Sequence, residues 1–322
     1  IALRGFPIGS SGVLFDGLSG PMFGSVFQLE SVERVEVLKG PTAFLAGLPP
    51  FAGVGGLINL APKRAEAAPL TSLTVGYHSD ALFGTIADVG RRFGSDNRFG
   101  VRFNGVYQDG DTAFDDGKHR HIVAALGLDW RVTDDFRLSS DLAYIDNHHQ
   151  SYQNSFGLAA GVPVPSAPDA TLNHAQTWTW FQQQQALASF SGEWDFAPGW
   201  TAAVKYGNSW HERPYLTPGS IQILNGRGDT RLSRVAIDSG YEMHSALATV
   251  RGKFDTGPVA HEVTAGYSWD LMTYDAAPNR SVGAYLAKLY APVYEDEPRL
   301  AAAVPRRRTC DTRATGDSFR DQ

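Results

Sequence analysis

From Leu70 onward polarity alternates with a period of two, and no other feature narrows the possible folds of this chain so far. Ile122, Ala124, Leu126, Leu128, Trp130 and Val132 are apolar at every second position. Val123, Ala125, Gly127, Asp129 and Arg131 between them are small or charged. The pattern recurs in Phe99, Val101 and Phe103 against Arg98, Arg102 and Asn104, and in Trp200, Ala202, Val204 and Tyr206 against Thr201, Lys205 and Ser209. It recurs again in Val259, Val263, Ala265, Tyr267 and Trp269 against Glu262, Thr264, Ser268 and Asp270. Successive side chains on a strand point to opposite faces, so each segment has one apolar and one polar side. About nine strands are predicted, near 70–77, 83–93, 98–108, 121–132, 136–147, 186–196, 200–210, 244–254 and 259–272.

The connections sort by length. Gly94 to Asn97, Thr133 to Asp135, Ala197 to Gly199 and Asp255 to Pro258 are short turns. Gln108–Arg120, His148–Gln185 and Trp210–Met243 are long and polar, and the two kinds alternate. Outer-membrane barrels have this asymmetry, with short inner turns and long outer loops. A sandwich has no reason to sort its loops, and compact domains rarely carry loops of such length. Trp130, Trp194, Phe196 and Trp200 fall near the short turns, and Tyr107, Tyr144, Trp210 and Trp269 near the long-loop ends. Amphipathic rings favour the headgroup level at both membrane faces.

Composition is compatible with this reading. No run approaches the roughly 20 apolar residues of a membrane-spanning helix, but an alternating barrel wall averages to an ordinary hydropathy. The net charge of -6 argues against a nucleic-acid partner. The single cysteine, Cys310, excludes an intrachain disulfide. His119 and His121 would share a strand face, and His148-His149 lie beside Asp146, but no three- or four-ligand metal set has the usual spacing. There is no Gly-x-Ser-x-Gly elbow, phosphate loop or His-Glu-x-x-His, so an enzyme is not expected.

Residues 1–64 have a different character. Val13-Leu14-Phe15 before Asp16-Gly17 reads as a strand and turn. Ser31 to Arg34 reads as a short helical turn, Val35 to Leu38 as a strand ended by Gly40-Pro41, and Leu57 to Leu60 as another strand after Gly55-Gly56. Together they predict a small mixed α/β unit, with 65–69 as linker. Residues 299–322 carry Arg306-Arg307-Arg308 without alternation, and are expected to be a disordered or out-of-frame tail.

Arg4-Gly5-Phe6, Asp16-Gly17-Leu18, the Glu33–Pro41 block, and Gly55-Gly56-Leu57-Ile58-Asn59-Leu60 with Lys63-Arg64 resemble, in order and spacing, the plug domain of TonB-dependent outer-membrane receptors. The match is to the siderophore-receptor branch, and Leu289-Tyr290-Ala291-Pro292-Val293-Tyr294 looks like a loop motif of the same branch. The resemblance implies an all-β-dominated chain: the C-terminal part of a plug (1–64), then the first part of a transmembrane antiparallel β-barrel (70–298). It further implies a receptor in the outer membrane of a Gram-negative bacterium, importing a ferric siderophore with TonB and the proton-motive force. The siderophore would be cargo rather than cofactor. The front of the plug with its TonB contact, and the remaining strands, are expected to be missing, as in a fragment or damaged reading frame. Rival readings are a passive porin-like barrel, a vitamin or haem importer, a non-functional remnant, and an extracellular enzyme on a β-sandwich.

The resemblance also suggests site residues. Arg4 and Arg34 would pair with carboxylates on the inner barrel wall, in the part expected to be missing, in a charged cluster with Glu33, Glu36 and Lys39. Arg suits such a latch because its rigid fork binds carboxylates bidentately. Gly9, Ser10, Ser11 and Phe23 would lie on plug loops touching the cargo from below. Trp178, Trp180, Phe181 and Tyr215 on outer loops would complete the pocket, beside Tyr152, Trp210 and His211. Hydroxyl and aromatic groups suit a neutral or mildly polar chelate.

Overall fold

The computed structural model describes residues 2–3, 5–8, 12–19, 29–39, 55–152, 155–217, 221–276, 280–297 and 306–321. Arg4, Gly9, Ser10, Ser11 and Phe23 lie outside them.

Ala2–Leu3 (β1) and Phe6–Pro7 (β2) pair as a short antiparallel ladder. Val13–Phe15 (β3), Val32–Lys39 (β4) and Gly56–Pro62 (β5) form a three-stranded sheet. β5 is central, parallel to β3 and antiparallel to β4. Alternate apolar residues of these strands, Val13, Phe15, Ile58 and Leu60, pack with Ile8 and with Leu187 from the wall. Gly56 has φ +131°, and a Cβ there would lie 2.2 Å from the Leu38 carbonyl oxygen, so the β4–β5 ladder requires glycine. The helical turn expected at Ser31 to Arg34 is absent. β4 already begins at Val32, with a register irregularity before Arg34. A single helical turn fixes several dihedrals for one hydrogen bond, whereas the open edge of β5 offers a whole ladder. Among the described residues the paired elements of the plug are strands.

The wall follows: Leu70–His78 (β6), Leu82–Phe93 (β7), Phe99–Asp111 (β8), Lys118–Arg131 (β9) and Phe136–Gln150 (β10). After Phe156–Leu158 (β11) come Trp180–Ala197 (β12), Trp200–Glu212 (β13), Tyr215–Thr217 (β14), Ile221–Ile223 (β15) and Asp229–Ile237 (β16). Ser239–Thr256 (β17), Val259–Ala276 (β18), Arg280–Lys288 (β19) and Arg306–Asp321 (β20) complete the chain. β6, β7, β8, β9, β10, β12, β13, β17, β18 and β20 form one antiparallel wall in that order. Every predicted strand is present, and several run on past the membrane: β12 starts at Trp180 and β17 at Ser239. β20 replaces the expected structureless tail. It pairs with β18 from Ala276↔Arg306 to His261↔Asp321, covering an edge whose backbone groups would otherwise lack partners.

Burial is inverted relative to a soluble sheet. Arg102 and Asn104 are 4% and 3% exposed, while Phe103 between them is 41% exposed. Asp141, Gln185 and Ser189 are buried, and Leu142, Phe190 and Val204 are open. A polar concave face and an apolar convex face define a membrane barrel wall, and exclude the sandwich reading. No helix among the described residues is long and apolar enough to cross a membrane.

The long connections are not irregular. β11, β14, β15, β16 and β19 pair into an extension of the sheet above β12, around Ile221, Leu232, Tyr285 and Ala287. Polar locks tie in the segments between them. Gln176 Nε2 donates to Tyr285 Oη and to the Val293 carbonyl, both at 2.8 Å, and its Oε1 accepts from the Glu295 amide at 2.6 Å. Trp178 Nε1 donates to the Glu295 carbonyl, and His174 Nε2 to that of Leu289, each at 2.8 Å.

Candidate functional site

Charged groups on the concave face hold the plug. The chain leaves β5 through Lys63 and Arg64, which point into the wall. Lys63 Nζ is 3.0 Å from Asp88 Oδ2 on β7, and Arg102 on β8 binds the same carboxylate at 2.5 and 3.0 Å. Arg64 grips Asp141 on β10 with both terminal nitrogens, Nη2 to Oδ2 at 2.7 Å. Ser189 Oγ donates to Asp141 Oδ2 at 3.2 Å. Arg92 donates to the Ala65 carbonyl at 2.7 Å, so the linker is pinned too. On the far side Lys205 Nζ meets Asp16 at 2.8 Å, and Ser19 donates to Asp270, which also accepts from Ser245 at 2.7 Å. Glu30 Oε1 faces His121 Nε2 at 3.8 Å, and the neighbouring imidazole is the main reason its carboxyl titrates below the ordinary range. Such pairs lie in a partly dry seam, where attraction is less screened than at a surface.

Above the plug, at the long-loop end, the concave face becomes aromatic. His119 on β9 is directly opposite His149 on β10, and their rings stack at 4.1 Å, 5° from parallel. The register continues the row to Phe181 on β12 and Tyr215 on β14, with ring centroids 6.3 and then 5.9 Å apart. Tyr152 leans on His149 and Phe181 at 5.6 and 5.2 Å. Asn147 Oδ1 fixes the His119 ring through Nε2 at 2.7 Å. Farther round, Tyr241 on β17 pairs with His211 on β13, and stacks on Tyr274 of β18 at 4.7 Å. Arg213 lies near enough for its charge to act on the Tyr215 and Tyr241 phenols. Its Nε is buried without a partner among the described residues. Burial raises the Tyr215 phenol above its ordinary range, so it remains a neutral donor. The result is a crescent of ring faces and hydroxyls with one guanidinium.

The structure divides the residues suggested by the sequence. Phe181 and Tyr215 meet in the crescent. Trp180, one residue out of phase, lies on the opposite face beside His148 at 6.3 Å. Trp178 is committed to the loop lock. Arg34 is two-thirds exposed and pairs at 2.6 Å with Glu36 of its own strand, whose Oε2 accepts from Asn59 at 2.8 Å. Those two bonds, from Asn59 and then Arg34, lower the Glu36 carboxyl below its usual range. Glu33 and Lys39 are exposed on β4. Within the described residues, the plug-to-wall ion pairs run through Lys63, Arg64 and Asp16; the wall partners expected for Arg4 and Arg34 lie outside the described residues. The crescent residues Arg213, Tyr241 and Tyr274 have a sequence signal, namely inward parity at the outer end of a strand. Strand ends taken two to five residues too short hid it, with Arg213 just past Glu212.

Residues 1–54 match the family described as TonB-dependent Receptor Plug Domain. Over 282 residues, 87% of the chain, it is 37% identical to the ferrichrome receptor FcuA of Yersinia enterocolitica, covering 37% of that protein. It is 25% identical along its whole length to the ferrioxamine B receptor of Salmonella typhimurium strain SL1344, covering 46% of it. The crystal structure of the ferric preacinetobactin receptor BauA of Acinetobacter baumannii superposes with a TM-score of 0.90 at 31% identity, over 99% of this chain and 48% of that one. The ferric-catecholate import receptor Fiu of E. coli, at 19% identity and a TM-score of 0.80, shares the fold. The chain spans 37% to 48% of the length of these relatives.

Proposed function

The chain belongs to the TonB-dependent receptor family, with its wall in the outer membrane, and on that premise we propose that it serves the import of a ferric siderophore. The observation that carries this reading is the aromatic crescent standing directly over an ion-paired plug. Ring faces and hydroxyls recognise a flat chelate by stacking and hydrogen bonding, and Arg213 supplies one charge-assisted donor. The named relatives, receptors for ferrichrome, ferrioxamine B and ferric preacinetobactin, support a ferric siderophore as cargo. The plug blocks free passage below. Its Arg64–Asp141 and Lys63–Asp88 pairs resist thermal release, yet yield when the plug is pulled, the role assigned here to TonB and the proton-motive force. No covalent chemistry is required.

The test is uptake of radio-iron by cells carrying the receptor, with and without TonB, offered as ferrichrome, ferrioxamine or a catecholate chelate. Saturable uptake of one class that vanishes without TonB supports the proposal. Unsaturated, TonB-independent entry would favour a passive pore. Uptake of haem or a cobalamin with no iron chelate would reassign the cargo.

A further inference from the structure

The convex face carries an apolar recess of about 430 Å³. Its floor is Ser140 on β10 and Gly192 on β12, small residues on neighbouring strands: Ser140 pairs with Phe190, and Gly192 with Leu138. Phe99 and Trp130, paired across β8 and β9, form one bank. Phe190 and Tyr206, paired across β12 and β13, form the other. All four rings point away from the lumen and are 38% to 56% exposed. Asp129, Ser139 and Ser191 of the same strands also border the recess, although in the register they belong to the polar phase.

Height along the wall indicates what fills the recess. Phe99 follows the Ser95–Asn97 turn, and Trp130 and Leu138 flank the turn at 133–135. Just below, Trp194, Phe196 and Trp200 form a chain of rings 5.8 and 6.2 Å apart. Such a girdle marks the headgroup level on the short-connection side. The recess therefore opens at acyl-chain depth, continuous with the lipid-facing surface. Water has too few polar partners there to fill it, and an empty groove would forfeit dispersion contacts along its lining.

We propose that this recess is a binding groove for one acyl chain of a phospholipid in the inner leaflet of the outer membrane. A flat wall lets neighbouring chains slide. A floor of Gly192 and Ser140 between aromatic banks gives one chain contact on three sides. β8, β9, β10, β12 and β13 pair without a break, so the groove is complete within this chain. The inference rests on the membrane location of the wall and not on the cargo.

Cells expressing the receptor are fed a fatty acid with a mid-chain diazirine. Their outer membranes are irradiated, and adducts are mapped on the peptides. Glycerophospholipid adducts are expected to concentrate in 128–140 and 190–206, over lipid-facing stretches on the same side of the wall near Phe93 and Val250. Gly192→Leu combined with Ser140→Leu should reduce them to the level of the rest of the wall, with heat-modifiable migration and iron uptake unchanged. Even labelling of the wall in the unaltered receptor, adducts of lipid A instead of glycerophospholipid, or undiminished labelling in the filled variant would overturn the proposal. If the double variant does not insert, the distribution in the unaltered receptor decides.

Discussion

Arg34 and Arg64 are both plug arginines beside a carboxylate, and only their surroundings separate them. Arg34 is two-thirds exposed and pairs with Glu36 on its own strand. An exposed pair of this kind contributes about 0–1 kcal/mol, so Arg34→Ala should leave plug seating nearly unchanged. Arg64 reaches across to Asp141, whose side chain is 8% exposed. Removing it leaves a buried carboxylate with the Ser189 hydroxyl in place of a bidentate partner. The expected cost is about 2–4 kcal/mol, discounted because Arg64 itself is about a quarter exposed. Proteolysis of the plug along a urea titration would read the difference; equal midpoints for the two variants would disprove the assignment. In the crescent, Phe181→Ala and Tyr215→Ala should each weaken chelate binding by roughly tenfold, the equivalent of about 1.4 kcal/mol. Trp180→Ala should not, since Trp180 faces the other way. Equilibrium binding of the ferric chelate to purified outer membranes measures all three. Residue identities were legible from the chain here, but residue partners were not. A charge in a list of plug residues says nothing about whether a buried carboxylate stands opposite.

Elements show the same division. Alternation located every wall strand except β20 but stopped at the membrane edge, because above it both faces of the sheet become polar and the period fades. The locks among the outer segments are accordingly invisible in sequence: Gln176, Trp178 and His174 are bonded to residues more than a hundred positions away. His174 gives them a pH dependence. Burial lowers its pKa below the ordinary value of 6.5, so the docked segment resists the proton that an undocked one accepts. The docking free energy from this residue is complete above pH 6.5 and is lost progressively as pH falls below it. Hydrogen exchange at 172–178 and 285–295, corrected for the intrinsic rate, should accelerate from pH 7.5 to pH 5, and His174→Gln should remove that extra acceleration. A pH-independent protection factor in the unaltered receptor would contradict the role given to His174.

At the scale of the whole molecule, polarity is inside out, and this makes opposite predictions for the two faces. Leu142 is on the convex face, mid-strand, and Leu142→Arg should cost about 2–4 kcal/mol when the barrel folds into vesicles. Ala203 is on the concave face, opposite Glu193 in the register, and Ala203→Arg should cost under about 1 kcal/mol. Urea-dependent folding into lipid vesicles compares them, and comparable costs would argue against a lipid-facing convex side. The sequence by itself determined that there is a wall, because a period of two over more than ten residues leaves no other way to bury the apolar phase. Through the blocks at Asp16, Glu33–Pro41 and Gly55–Arg64 it also determined what kind of plug precedes that wall. It was silent on which charges join the two and on which of the outer aromatics share a face, and it pointed to a tail where 306–321 pair as a strand. Only the tertiary structure decided those. A latch, a crescent of rings and a covered strand edge depend on partners brought together across the sheet, and local periodicity carries no information about what stands opposite.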